Sequence, residues 1–477
     1  MDESPLALKV ASKIALAAMG VLFILGAIFY RERALFSDAA FRVFHVINYS
    51  RFGVPGKRYG AFIIQVLPYL ARKLHLSINA ILFLYGSSYN LFFFSVTALL
   101  VYRYRQYTLA ILMALYYFLF VSESYMWVSE TFLGVAWMFL FFAVTIHLGK
   151  KKVNVFLLLV PFSLFAFLAL FSHFVIIIPT IFLWIYLISE KKNWPFSKNI
   201  SILLSCILAL ILCIKFIGAS SESSDSLHLH GITHFSLKDI INTFTTPVLK
   251  TFFYRCLINY WAAIIVFITS MVSLIKNKKW GLATWTFISV LGYLIIMGLT
   301  YGDEDSNVLL LHIESEWACI GILVSAGFVF TFLSRLRPVT ASCLLAGIFI
   351  ARLVYIGIGI SSFCLRTDTD EQILAQMRKK GIAKLVLLDD KQLIAINKLT
   401  WGLPFETIMM SAIDGDKPQR TFCIVNKDDK EALLAMSYPS VIFTTFEASA
   451  PKDFNREYFS MDSTHPYQVM TYSELMK

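Results

Sequence analysis

Long apolar runs separated by short polar joints fill the first three-quarters of the chain, and their lengths decide what the elements are. Helices are predicted over 11-30, 77-101, 107-122, 130-148, 153-171, 174-190, 199-217, 257-275, 281-300, 314-334 and 339-361. Most of these runs approach or exceed the roughly 20 residues that carry a helix across a bilayer. The stretch 153-190 is too long for one span and divides at Ser172-His173, where polar groups interrupt it. A membrane β-barrel would show short alternating segments, and the sequence has none. The expected fold is therefore a polytopic α-helical membrane protein with eleven spans within 1-361.

Two polar stretches have their own patterns. In the loop 31-76, Ser37 is placed to cap a helix with Asp38 in its first turn. From Phe41 onward, Val43, Phe44 and Ile47 alternate with Arg42, His45 and Asn48, the pattern of a helix lying in the membrane interface. "GVPG" at 53-56 ends it, and 60-71, which contains Pro68, reads as a second interfacial or re-entrant piece. Beyond 361 the charges rise and the apolar runs shorten. A helix is expected over 370-381 with a Gly stop, then strands at 384-390, 421-425 and 441-446, giving a small α/β domain over 362-477. The acids Asp389, Asp390, Asp414 and Asp416 read as strand-end turns.

Composition agrees with the pattern. The chain is 58% hydrophobic and 15% charged, against about 25% charged in soluble domains. Its +11 balance falls in short clusters at segment ends, which points to lipid headgroups or a phosphorylated lipid and away from nucleic acid. Basic clusters follow every even-numbered helix: Arg103 and Arg105, Lys150 to Lys152, Lys191 and Lys192, Lys276, Lys278 and Lys279, Arg335 and Arg337. The loops after helices 3, 5 and 9 hold no Lys or Arg. The positive-inside rule then predicts a cytoplasmic N-terminus, with 31-76, 218-256 and the tail outside. No small-residue cleavage site follows the first helix, so it is expected to be retained. None of the seven Cys shows metal spacing.

That topology leaves Arg31, Arg33, Arg42, Arg51, Lys57, Arg58, Arg72 and Lys73 on the external face, against the rule. It also brings Asp38, Glu123, Glu130, His173, Arg255 and the stretch 301-317 to one depth on one side. Ionisable groups at such depth usually face a cavity. His312 and Glu316 are four residues apart and share a helix face, whereas Glu314 points elsewhere. The acids of "GDEDS" read as a solvated loop, and Glu123 and Glu130 as helix caps. A carboxylate beside an acceptor hydroxyl suits general-base work, and guanidinium groups suit phosphate. Glycosyl transfer from a lipid phosphate needs that pairing.

"LFSDAAF" around Asp38, the pieces 38-49 and 60-71, the eleven spans and the tail from 365 together resemble the GT-C-type integral-membrane glycosyltransferases. "RYGAFIIQVLPYLA" (58-71), "FSHFVIIIP" (171-179) and "WGLPFETIMMSAIDG" (401-415) are similar to bacterial membrane proteins of this kind. The resemblance implies a bacterial inner-membrane enzyme using a polyprenyl-phosphate-linked sugar, inverting its anomeric centre, with a glycan, lipid or protein as acceptor. It implies Asp38 as general base, phosphate held by Arg51, Lys57, Arg58 and Arg255, and a sugar or acceptor pocket lined by His173, His312, Glu314 and Glu316. Many members carry two adjacent acids in this loop, whereas here Asp38 is followed by Ala39 and Ala40. That departure leaves one base; a divalent metal is supported by no motif, and no other cofactor is expected. Rival readings are a transporter or flippase for lipid-linked glycans, a polysaccharide polymerase or ligase, and a scaffold subunit.

Overall fold

The computed structural model describes residues 5-54, 58-190, 194-219, 235-302, 306-388, 390-442 and 449-477. Lys57, the acids of 303-305, Asp389 and most of the expected strand 441-446 therefore lie outside the described residues. Among the described residues, seven helices are long and apolar enough to cross a membrane: Leu6–Ile28, Ile78–Arg103, Glu130–Lys150, Lys198–Ile217, Trp280–Tyr301, Leu309–Arg335 and Pro338–Lys379. An eighth span results if Leu237–Ile258 and Trp261–Lys276, bent by 86° at their break, count as one. Three other expected spans are shorter apolar helices, Tyr107–Phe120, Val155–Leu170 and Phe174–Glu190. This is a helical membrane protein.

Local chemistry explains the breaks. Ser77, Ser129 and Asn154 cap the helices that follow them by accepting from backbone N–H groups. The predicted division at Ser172-His173 is present: the Ser172 hydroxyl donates to Leu168 O, and His173 caps the next turn through Nδ1. Tyr107–Phe120 is about 21 Å long and buried almost throughout, so neighbouring helices rather than lipid set its ends.

The charged ends sort onto two faces. Glu130 and Lys150 terminate one helix of 21 residues, about 31 Å apart. At the Lys150 end, the Tyr104 ring lies 5.3 Å from that of His147, and Lys279 pairs with Glu190. The other end carries Asp38, Glu130 and His173, and the C-terminal segment packs onto it.

The helix Pro338–Lys379 runs for 42 residues, about 63 Å, twice a bilayer's hydrocarbon thickness. The expected boundary at 361/362 falls inside it, because Ser361 to Lys379 continue its helical pattern until Gly381 adopts a φ of +69°. Beyond it lies a parallel sheet of order β2-β1-β3, with β1 Lys384–Leu388, β2 Thr421–Val425 and β3 Gln468–Met470. The strands expected at 384-390 and 421-425 match β1 and β2, while β3 was too short and too exposed to read. The helix Leu403–Ile413 packs between β2 and the helix Ser37–Tyr49.

The alternation along Ser37–Tyr49 does not divide the helix into a buried and an exposed face, since none of its residues is exposed. Arg42, His45 and Asn48 are buried along with Val43, Phe44 and Ile47. The polar residues face protein partners: Asn48 accepts from the Asn455 N–H at 2.6 Å, and Arg42 reaches Val128 O at 3.2 Å.

Candidate functional site

The site begins at the turn Leu35-Phe36-Ser37. Ser37 has a φ of 45°, a left-handed conformation that costs a non-glycine residue of order 1–3 kcal/mol and persists only when its surroundings hold it. Three contacts do so: Arg366 donates to Leu35 O at 3.0 Å, its guanidinium lies 4.9 Å from the Phe36 ring centre, and the Ser37 N–H donates to Glu406 Oε1 at 2.6 Å. Glu406 and Arg366 are themselves ion-paired, both fully buried. Ser37 is therefore not the helix cap its sequence suggested. It is already the first helical residue, past the position from which a cap side chain reaches the free amides, and its Oγ has no hydrogen-bond partner among the described residues. The anion at this helix start is Glu406, 369 residues away, aligned with the positive end of the helix dipole.

One residue on, Asp38 enters a quartet of alternating charge. Arg42 Nη2 lies 3.5 Å from Asp38 Oδ2 and in direct contact with Glu130, and Arg58 Nη1 lies 3.4 Å from the other oxygen of Glu130. Two cations and two anions balance, as burial requires. Exposure separates their roles: Arg42 and Glu130 are 2% and 4% exposed, Arg58 is 15%, and Asp38 is 29%. Glu130 is locked, whereas Asp38 is the carboxylate that opens outward. Burial pushes the Asp38 carboxyl above its ordinary range, Arg42 opposes the shift, and the Glu130 charge adds to it. Arg58 and His312 are close enough to act on the same carboxyl.

His312 is fixed between the rings of Trp127 and Tyr301, at 5.9 and 5.4 Å between ring centres. A second pair lies on the same face, where His173 Nε2 approaches Glu316 Oε1 at 3.4 Å, both side chains being buried. The two groups are joined at Gly60. This residue, two after Arg58, packs so tightly on the 172–173 break that a Cβ would fall 1.9 Å from Ser172 Oγ. Asp38, Arg58, His312, His173 and Glu316 thus gather at one end of the bundle.

Other expected site residues do not join them. Glu314 accepts from the Ser122 and Ser124 N–H groups and the Tyr260 hydroxyl, each at 2.8 Å, and from the Ser122 hydroxyl. Four donors saturate it, so it fastens helices together instead of lining a pocket. Arg255 is half-buried in the last turn of Pro247–Ile258, and its charge acts on Tyr260, on the Glu314 side. Arg51 is exposed, with its guanidinium 4.8 Å from the Tyr49 ring centre. Glu123 pairs with Lys398. Asp390, just past β1, caps the next helix, whereas Asp414 and Asp416, also expected at a strand end, follow the helix Leu403–Ile413 and hold Arg378. Among the described residues, no three His, Cys, Asp or Glu side chains converge as metal ligands.

Sequence reasoning left Arg42 out of the site and treated Glu130 as a cap, though these two organise the quartet. The four-residue spacing of Asp38 and Arg42 was a usable signal. No protein-family model, curated protein or solved structure matches the chain.

Proposed function

We propose that the chain is a membrane glycosyltransferase of the GT-C type it resembles, moving a sugar from a polyprenyl-phosphate donor to an acceptor hydroxyl on the extracytoplasmic face. In this reading the eleven apolar helices all span, the basic ends face the cytoplasm, and the segment after Lys379 lies outside. The observation that carries it is Asp38: a partly exposed carboxylate beside two guanidinium groups, with its proton affinity raised by burial. A raised carboxyl is a stronger base than an ordinary one.

The acceptor oxygen attacks the anomeric carbon from the face opposite the phosphate. Its proton passes to Asp38, and the bond from the anomeric carbon to the phosphate oxygen breaks with its electron pair leaving on phosphate. The products are the glycosylated acceptor, with inverted configuration, and polyprenyl phosphate. Arg58, at the rim of the quartet, is the guanidinium placed to meet the departing charge. His173, Glu316 and His312 supply hydrogen-bonding edges for sugar hydroxyls.

A transporter would be expected to present freed backbone carbonyls of its broken helix to cargo. At the break between Ile258 and Trp261, those carbonyls are taken by protein: Tyr355 donates to Ile258 O at 3.1 Å, and Arg352 donates to Asn259 O. The test is transfer of radiolabelled sugar from polyprenyl-phosphate donors by purified protein. Wild type should transfer and a folded Asp38→Asn variant should not; unchanged turnover in the variant removes Asp38 as the base.

A further inference from the structure

We infer that Glu406, Arg366 and Gly402 form a clamp through which the C-terminal segment positions Asp38, making that segment part of the active centre. The inference rests on the proposed role of Asp38. The clamp closes on the residues just before Asp38. Glu406 holds the Ser37 N–H, Arg366 holds Leu35 O, and the Glu406–Arg366 ion pair ties the two grips into one unit. Asp370 lies 3.7 Å from the same guanidinium, so that charge faces two buried carboxylates, one on each helix. Gly402 provides the close approach: a Cβ there would fall 2.7 Å from Ser37 Cα and 2.9 Å from Glu406 Oε1. Its φ of −84° is open to any residue, so the requirement for glycine comes from the contact and not from its own backbone.

The same helix grips the next turn through aromatic rings. Phe405 lies 5.6 Å from Phe41 and 4.7 Å from Phe44 between ring centres. A segment that only decorated the outer face would attach through partly exposed groups, as Lys398 does with Glu123. The clamp is instead fully buried and directed at a single strained turn, and the residue that turn aims is Asp38.

The test uses full-length purified protein with Gly402→Ala, Glu406→Ala, Glu406→Gln and Lys398→Met. The last breaks the separate Glu123 attachment and serves as control. A carbodiimide, which modifies protonated carboxyls, is applied across a pH series, and modification of Asp38 is read by peptide mass spectrometry. Loosening the turn exposes Asp38 to water, so its labelling midpoint should move toward the ordinary carboxylate range in Gly402→Ala and Glu406→Ala. Glu406→Gln keeps an oxygen for the Ser37 N–H but loses the charge paired with Arg366, so its midpoint should shift less than that of Glu406→Ala, while Lys398→Met should retain the wild-type midpoint. In the transfer assay the first two variants should lose about 10- to 100-fold in kcat with KM within about twofold, the signature of a misplaced catalytic group.

Wild-type midpoints and turnover in both Gly402→Ala and Glu406→Ala would overturn the clamp, as would an equal shift in Lys398→Met. Should Glu406→Ala fail to fold, Gly402→Ala decides alone, since it changes no charge. If wild type transfers no sugar, the functional reading falls while the labelling series still decides the clamp.

Discussion

Replacing Glu130 by Gln should move the acid limb of the pH–rate profile to lower pH. Asp38 must be ionised to accept a proton, so transfer rises with pH through its titration. In the wild type, Glu130 repels the ionised form and also occupies the guanidinium that would otherwise favour it. Both carboxylates approach the same Nη2 of Arg42, one at 3.5 Å and the other in contact, which bounds their separation at about 6.5 Å for a contact of about 3 Å. Like charges at that distance repel by about 2.5 kcal/mol at an effective dielectric constant of about 20, and by about 0.6 kcal/mol at about 80. At about 1.36 kcal/mol per pH unit, the limb should fall by about 0.5 to 2 units. Asp38 is 29% exposed, which favours the smaller figure, while the released Arg42 adds a pull in the same direction. The assay is kcat/KM for sugar transfer from pH 4 upward, with the melting midpoint of each variant as a check on folding. A limb that stays in place or moves upward refutes the electrostatic argument. Complete loss of transfer with an intact fold would make Glu130 the base and refute the assignment to Asp38.

Two other consequences follow from the same geometry. Glu314→Ala strands four buried donors and should destabilise the protein by about 3–5 kcal/mol, whereas Glu123→Ala, at a half-buried pair, should cost about 1 kcal/mol or less; equal melting midpoints in detergent would refute the anchoring role. For orientation, a cysteine at exposed Asp428 should react with an impermeant maleimide in intact cells and one at exposed Lys151 should not, and the reverse pattern would invert the topology.

The membrane helices were legible because each is set by a local property, the length of an apolar run. All eleven predicted segments carry a helix, and even the division at Ser172-His173 followed from two polar residues that cap the flanking turns. The span count was less legible, since Tyr107–Phe120 is held by neighbours on every side and its length no longer reports the bilayer. Asp38 was readable as an acid in a first turn. Its environment was not, because Glu130, which acts on it, and Glu406 and Arg366, which hold the turn before it, come from 92, 368 and 328 positions along the chain. The amphipathic reading of Ser37–Tyr49 failed for a related reason: alternation of polar and apolar residues signals two different environments, and a second protein layer can serve as one of them. Glu314 and Glu316 illustrate the same limit at close range. Two residues apart, one is saturated by four donors and the other faces His173; the spacing in "HIESEW" set them on different helix faces, but the partners of Glu314 come from 54 to 192 positions away and could not be read locally.

The account's central claim is that a lipid-linked phosphate sits beside Arg58 with its sugar over Asp38. A structure of the full chain with a polyprenyl-phosphate sugar bound tests this most directly. The account predicts phosphate density within hydrogen-bond reach of Arg58 and an Asp38 oxygen on the side of the anomeric carbon away from that phosphate. Phosphate bound instead at the opposite end of the bundle, in the groove formed by Lys278, Lys279, Trp280 and Trp285, would contradict it.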